Sequence, residues 1–368
     1  MEKDIRVAFF GNGFTRSTIL PCLRQVDGVR FVGIASPNQE KAKETAEEFG
    51  IEEVSDDHRE ILGRTSPDLV FVVTPPHRHY EQTVDALRTG CHVVCEKPTA
   101  LSGGESLKMW DEAKERPGQI AWIDHELRFD PRRKLLRKWI QDGRIGEPIR
   151  ATYLVHSGSR RSAEFPWTWW SDENQGGGAL GALGSHAVDA LRHLLGEVQV
   201  VRGALHTTIK SRRDPLTGTE RGVTADDFAG AWIRFRSGAL ATMEVSVVEG
   251  ERRHEVSVTG TEGTVRILEQ GPLLAAFGSS GHLPLEDHTP EDDLPTNGEL
   301  GIPDTDWARA FLRMCRELVH SIRTGERNET AATLEDGHRN QLVLDAIRHS
   351  SERSDWTEVR SEGKVGLK

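Results

Sequence analysis

The 368-residue chain carries 58 Asp and Glu against 47 Lys and Arg, a formal charge of −11, which argues against a general binder of nucleic acid or of anionic membrane surfaces. Its length exceeds what one core usually serves and predicts two domains, and its 36% hydrophobic and 29% charged residues fit an ordinary globular protein. No apolar run is long enough to span a bilayer, the first residues lack a signal-peptide pattern, and Cys22, Cys91, Cys95 and Cys315 form no paired framework, so a cytoplasmic protein with reduced thiols is expected.

The run IRVAFF at 5–10 predicts a strand, and Gly11-Asn12-Gly13-Phe14-Thr15-Arg16 follows it directly, with a helix over 17–24. A strand, a glycine turn and a helix start form a cradle for a pyrophosphate: Gly11 permits the turn, Gly13 lets backbone approach phosphate, and the helix start offers free N–H groups. Arg16 stands where the third glycine of GxGxxG is expected, either as a phosphate contact or as a solvated helix charge. A second strand over 30–35 ends at Ser36-Pro37-Asn38, before a helix over 39–49. Ser36 replaces the acid that usually holds a ribose 2′-hydroxyl; with Asn38 and Lys41 it admits NADP beside NAD.

A short helix over 57–63, a strand over 68–73, the turn TPPHRH at 74–79 and a helix over 80–89 lead to HVVCEKPT at 92–99. The apolar, β-branched start of that run predicts a strand covered on both faces, and Pro98 ends its ladder. Lys97 therefore falls just past the carboxyl end of a strand, where open α/β sheets bind ligands, although a lysine there is also at home as a solvated charge. A helix over 102–115 and a strand over 119–123 complete a doubly wound parallel sheet with right-handed crossovers, over residues 1–123.

Residues 124–368 read differently. His125 to Pro131 make a turn into a helix over 132–142, and alternating runs at 149–156, 198–205, 229–235, 239–247 and 254–259 predict an open, mainly antiparallel sheet carrying helices. Between the first two runs lie Trp167, Trp169 and Trp170, then a glycine-rich segment leading to His186 and Asp189, one helical turn apart. The tryptophans suit either stacking on a sugar face or packing of a long loop. The stretches 214–222 and 283–301 read as polar loops, and 307–323 and 334–349 as closing amphipathic helices. No cluster has metal-ligand spacing.

Strand-GxG, TPxxxH and a strand ending in EKP, in this order, resemble the family of glucose-fructose oxidoreductase, inositol dehydrogenase and rhizopine catabolism proteins, and RFDP at 128–131 and the His186 segment extend the likeness over nearly the whole chain. The resemblance implies an N-terminal Rossmann domain that binds NAD or NADP through the glycine turn, Ser36, Thr74, Pro75, His79, Glu96 and Lys97. It also implies a C-terminal substrate and oligomerisation domain; His125, Arg128, Trp169 and Asp189 are the candidates at the substrate, Arg128 suiting an interface and Asp189 a pairing with Arg192 equally well, and a homodimer or homotetramer formed through the open sheet is expected. The activity implied is hydride transfer between nicotinamide and a sugar, cyclitol or related polyol, with Lys97 on the reacting oxygen and His186 taking the proton. One departure stands out: Ala182 occupies the place of the family's aspartate four residues before the histidine. This departure keeps open a cofactor-bound regulator, and the resemblance also admits an NAD-dependent glycosidase that recycles its cofactor.

Overall fold

The computed structural model describes residues 3–279 and 281–360. They divide into two compact units, the first comprising the chain up to Ala100, Gly104–Asp130 and Asp293–His338, the second Leu101–Gly103, Pro131–Asp292 and the chain from Arg339. Among the described residues no helix is long and apolar enough to cross a membrane.

The first unit is built on six parallel strands: β1 (Ile5–Phe10), β2 (Val29–Ala35), β3 (Glu53–Ser55), β4 (Leu69–Val72), β5 (His92–Cys95) and β6 (Ala121–Ile123), in the order β3-β2-β1-β4-β5-β6. This is the doubly wound Rossmann sheet expected from the alternating pattern. Its strands are buried on both faces because side chains alternate. Val7 and Phe9 enter one apolar cluster and Ala8 and Phe10 the other. Helices α1 (Leu20–Leu23), α2 (Gln39–Phe49), α3 (His58–Thr65), α4 (His79–Arg88) and α5 (Gly103–Lys114) connect or follow the strands. The strand β3 gave no signal in the sequence; three residues beginning with a glutamate are too few for a period-two pattern.

From the sequence alone the boundary fell once, at 123/124. The chain instead returns to the first unit late, through the short helix α8 (Asn297–Leu300) and the long helix α9 (Asp306–Thr324). Helix α9 runs from an N-cap, where Thr305 accepts the Ala308 N–H at 3.1 Å, to Gly325 in the left-handed region. Its stripe of Phe311, Leu312, Cys315 and Leu318 joins the cluster of Val7, Phe9 and Phe71, with the Phe71 and Phe311 rings 6.2 Å apart. An amphipathic stripe declares that a helix is half buried but not which sheet buries it.

The second unit is a nine-stranded mixed sheet. In chain order its strands are β7 (Pro148–His156), β8 (Val198–His206), β11 (Phe228–Phe235), β12 (Leu240–Ser246), β13 (Arg253–Gly260), β14 (Gly263–Leu268), β15 (Leu273–Phe277), β16 (Glu286–Asp287) and β17 (Thr357–Glu358). They lie in the order β16-β15-β14-β13-β7-β12-β11-β8-β17, with β7 and β12 parallel and the other ladders antiparallel. Helices α6 (Pro131–Gln141) and α7 (Ser185–Leu195), with the later turns of α10 (Leu334–Arg353), cover one face. Leu136, Val188, Leu191 and Ile347 pack there on Tyr153, Ala231 and Val256. The other face is open: Trp232 is 58% exposed, and Leu154, Phe228 and Trp356 line a shallow groove beside it. Where the sequence suggested a loop over 214–222, β9 (Ser211–Arg213) and β10 (Glu220–Gly222) form a small antiparallel ribbon.

Candidate active site

At the carboxyl end of β1 the chain must turn beneath β4. Gly11 does so at φ +109°, and a Cβ there would meet the Val73 carbonyl oxygen at 2.5 Å, so only glycine fits. A Cβ on Gly13, by contrast, would meet nothing within 4 Å, which leaves backbone open to an approaching group. A helix starts at residue 13, with a wide turn over Thr15–Ile19, and Asn12 Oδ1 beside it is buried without a hydrogen-bond partner. Close packing behind, open backbone in front and an unserved polar atom suit a dinucleotide pyrophosphate. Thr15 and Arg16 do other work. The Thr15 hydroxyl, fully buried, donates to the Gly11 carbonyl at 2.8 Å and fixes the turn. The Arg16 guanidinium pairs with Glu44 at 3.0 Å and Glu48 at 2.9 Å on α2, an exposed ion pair of the kind the solvated-charge alternative expects. Phe14 is exposed and sets its ring edge-on to Phe311. Ser36 is buried, with its N–H on the Ser55 carbonyl, and Asn38 caps α2 by accepting the Lys41 N–H at 3.0 Å.

The ends of β4, β5 and β6 form the next group. Register pairs Val72 with Cys95 and Cys95 with Ile123, so Val73, Glu96 and Asp124 lie in one row just beyond the sheet. Lys97 follows Glu96, whose Oε2 accepts the Lys97 backbone N–H at 3.1 Å, and joins Pro98 through a cis peptide. Behind this turn, His79 is fully buried between two backbone carbonyls, with Nδ1 2.9 Å from Pro98 O and Nε2 2.7 Å from Thr74 O. It therefore ties the TPP turn to the EKP turn from behind instead of lining the groove, and burial pulls its pKa down to about 4 although both carbonyls favour the cation. Thr74 donates its hydroxyl to Gln82 Oε1 at 2.6 Å, and Pro75 leads the short 3₁₀ turn Pro76–Arg78.

Three carboxyl groups gather around Lys97. Asp124 is 2% and Glu126 5% exposed; burial raises the pKa of Glu96, lifts Asp124 well above its ordinary range and pushes Glu126 up to about 8. Repulsion from neighbouring carboxyl groups adds to burial at Asp124 and Glu126, and the Lys97 charge opposes the rise at all three. Beside them His125 is buried with its N–H on the Ile123 carbonyl, and Arg128 pairs with Asp336 at 3.3 Å, a bond internal to the first unit.

In the second unit His186 and Asp189 sit on α7, 3% and 2% exposed. Asn340, which the sequence did not single out, donates to Asp189 Oδ1 at 2.9 Å and accepts from Arg192 at 2.6 Å, so the aspartate is held from α10. Ala182 lies in the wide turn Leu180–Gly184 that opens this helix. Trp167 is locked by its indole N–H on the Gly222 carbonyl and by Arg221 over its ring, whereas Trp169 is half-buried, 5.9 Å from the Trp170 ring.

Asp226 starts the helix and escaped the sequence reading because its partners lie about 45 residues away. Its carboxylate accepts the Leu180 N–H at 2.8 Å, and Gly178 at φ +111° makes room for it. Burial raises the Asp226 pKa from 3.8 to about 6. Between those values the native state holds a proton that the unfolded chain has lost, so this group's share of stability falls as pH rises from about 4 to 6. Asp226→Asn keeps the cap and flattens that slope, while Asp226→Ala loses the cap at a cost of about 1–2 kcal/mol. Thermal melts at pH 5 and pH 7 distinguish the two. Among the described residues no group of three His, Cys, Asp or Glu side chains is placed to hold a metal ion.

Two family models match the chain: "Oxidoreductase family, NAD-binding Rossmann fold" over residues 5–125 and "GFO/IDH/MocA C-terminal domain" over residues 134–266. Glucose-fructose oxidoreductase domain-containing protein 2 of Xenopus tropicalis is 31% identical, over 96% of this chain and 93% of its own length. Levoglucosan dehydrogenase of Pseudarthrobacter phenanthrenivorans is 30% identical over 89% of this chain and 88% of its own length. A solved levoglucosan dehydrogenase in complex with NADH and levoglucosan superposes with a TM-score of 0.85 at 26% identity, covering 98% of this chain and all of that one.

Proposed function

We propose, from the premise that this chain belongs to the GFO/IDH/MocA family of NAD-binding oxidoreductases and is a dehydrogenase, that its substrate is a pyranose sugar or a close polyol relative oxidised at a secondary hydroxyl. The observation that carries this reading is Lys97 just past the carboxyl end of β5, at the same edge of an NAD-binding sheet as the glycine turn and close to buried carboxyl groups. Gly11, Asn12 and Gly13 hold the pyrophosphate, with Thr74, Pro75 and Glu96 along the groove. Bound there, the nicotinamide supplies the hydride acceptor. Lys97 donates to the reacting oxygen and stabilises its developing negative charge, and His186 is the second group that handles the hydroxyl proton. His125, Arg128, Trp169 and Asp189 were expected at the substrate. Of these, Trp169 suits stacking on a sugar face, and Arg128 suits a supporting role through Asp336.

The test is nicotinamide absorbance with NAD⁺ and, separately, NADP⁺ against levoglucosan and a panel of aldoses, cyclitols and sugar acids. Net reduction with one class of sugar is the expected outcome. Silence across the panel overturns the reading. Ala182 favours one second reading, a cofactor-bound regulator without turnover, and tight NAD⁺ binding with no net reduction of any sugar would select it. Four buried cysteines, none in a disulfide, support cytoplasmic residence. The exposed Trp232 face supports pairing of two copies through the open sheet, which sedimentation of the wild-type protein tests.

A further inference from the structure

We infer that the substrate is a sugar acid whose carboxylate is held by Arg160, on the loop that follows β7. The inference rests on the dehydrogenase reading and deepens it by naming the class of sugar.

The backbone at Arg160 is fixed on both sides. Its N–H donates to the Val247 carbonyl at 2.9 Å, and its carbonyl accepts Arg212 Nη2 at 2.6 Å. Arg212, on β9 and only 4% exposed, also donates to the Ser162 carbonyl at 2.7 Å and to the Phe165 carbonyl at 3.4 Å, so the small ribbon clamps the loop from Arg160 to Phe165. A side chain carried on backbone set in advance costs less ordering when a ligand arrives.

The half-buried Arg160 guanidinium stacks 4.7 Å from the centroid of the Trp170 ring, and the Trp170 ring lies 5.9 Å from that of Trp169. Among the described residues no carboxylate pairs with this guanidinium. The aspartates of the same loop and ribbon are committed elsewhere. Asp172 accepts the Asn174 N–H at 3.0 Å, Asp214 accepts the Leu216 N–H at 2.8 Å, and both face Arg221, at 4.0 and 3.6 Å. Asp227 accepts the Thr208 and Ile209 N–H groups. Burial and the charge of Arg212 lower the Arg160 pKa, as expected of a cation with no anion beside it.

The stack stands on the segment that presents His186. A Cβ on Gly177 would meet the Trp170 carbonyl oxygen at 2.5 Å and that of Trp169 at 2.7 Å, so only glycine lets the turn Trp169–Ser171 close on the chain that runs through Leu180–Gly184 into α7. A sugar lying on Trp169 therefore has a guanidinium two rings away and the α7 histidine further along the same segment. A carboxylate accepts a bidentate pair from such a fork, and its single charge matches the one unpaired cation. A neutral sugar has no group that needs it.

The test is the ratio of kcat/KM, with NAD⁺, for D-glucuronate over D-glucose and for D-galacturonate over D-galactose. Fluorescence titration of the NADH complex with each sugar gives a binding readout independent of turnover. The wild type should prefer the acids. Arg160→Gln should lower the ratio about 50-fold, chiefly through KM, with kcat for the acid changed less than about threefold. Arg160→Lys, which keeps the charge without the planar fork, should recover part of the ratio, and must still fall below the wild type should Arg160→Gln fail to fold. Arg161→Gln, its exposed neighbour, should keep the wild-type ratio. A wild type that prefers the neutral sugars, or an equal fall in the Arg160→Gln and Arg161→Gln ratios, overturns the inference. Preference for D-glucose 6-phosphate over the uronates overturns the assignment of a carboxylate. Acids that bind tightly, lose that binding in Arg160→Gln and yet reduce no NAD⁺ would sink the dehydrogenase reading and leave the Arg160 site standing. Oxidation of neutral sugars with no binding of the acids would do the reverse.

Discussion

Lys97→Ala lowers kcat by about a thousandfold while the protein still folds and binds NAD⁺. General acid–base and charge-stabilising contributions of a single well-placed group run to about 100–10,000-fold, and Lys97 would supply both. The fold has little stake in the side chain. The turn is held by the Lys97 backbone N–H on Glu96 and, from behind, by His79 between the Thr74 and Pro98 carbonyls. Removing the ammonium takes away the charge that favours ionisation of Glu96, Asp124 and Glu126, so the three carboxyl groups move further up in pKa and hold more protons. Because raised carboxyl pKa values give stability that is lost as pH climbs through them, the variant should lose stability over a range extending to higher pH than the wild type does. Single-turnover kinetics and an NAD⁺ binding isotherm measure the first effect, and melting temperature against pH the second. Full turnover in the variant would remove Lys97 from the chemistry.

Gly11→Val abolishes cofactor binding and destabilises the first unit by about 4 kcal/mol, of which roughly 1–3 comes from the positive φ and roughly 1–3 from overpacking. The new Cβ would sit 2.5 Å from the Val73 carbonyl oxygen and 2.7 Å from its carbon, backbone that cannot yield without moving β4. Gly13→Ala is the contrast, since its Cβ meets no protein atom within 4 Å. It should melt near the wild type yet bind NAD⁺ more weakly, because the added methyl group stands where phosphate approaches. Melting curves and binding isotherms on the pair separate the turn's structural duty from its ligand-facing one.

The parallel sheet and the place of Lys97 were legible because they depend on local signals: β-branched runs, a glycine turn and a proline that stops a ladder. The discontinuous first unit was not, since the stripe of α9 is satisfied by any apolar surface and its true partners, Phe9 and Phe71, lie more than 200 residues earlier. Individual site residues divide the same way. Gly11 is explained by its own φ, but the ion-pair partners of Arg16, Glu44 and Glu48, lie on another helix that no local motif brings to it. Thr15 and His79 looked like groove residues and prove to be buried braces, which a motif cannot distinguish from a lining residue one position away. Asp226 and Asn340 carry no motif at all; what they do depends on backbone and side chains brought up by the fold. The three carboxyl groups around Lys97 were visible as residues, but the strand register that turns them into one group was not.

The claim that this chain moves a hydride from a sugar carbinol carbon to NAD⁺ is tested most directly by isotope transfer. A substrate found in the sugar panel is deuterated at the carbon that becomes a carbonyl, incubated with wild-type protein and NAD⁺, and the nicotinamide product is weighed by mass spectrometry. The account predicts NADH that accumulates and carries the deuterium, with no such product from Lys97→Ala. Sugar turnover in which no labelled NADH accumulates would contradict it.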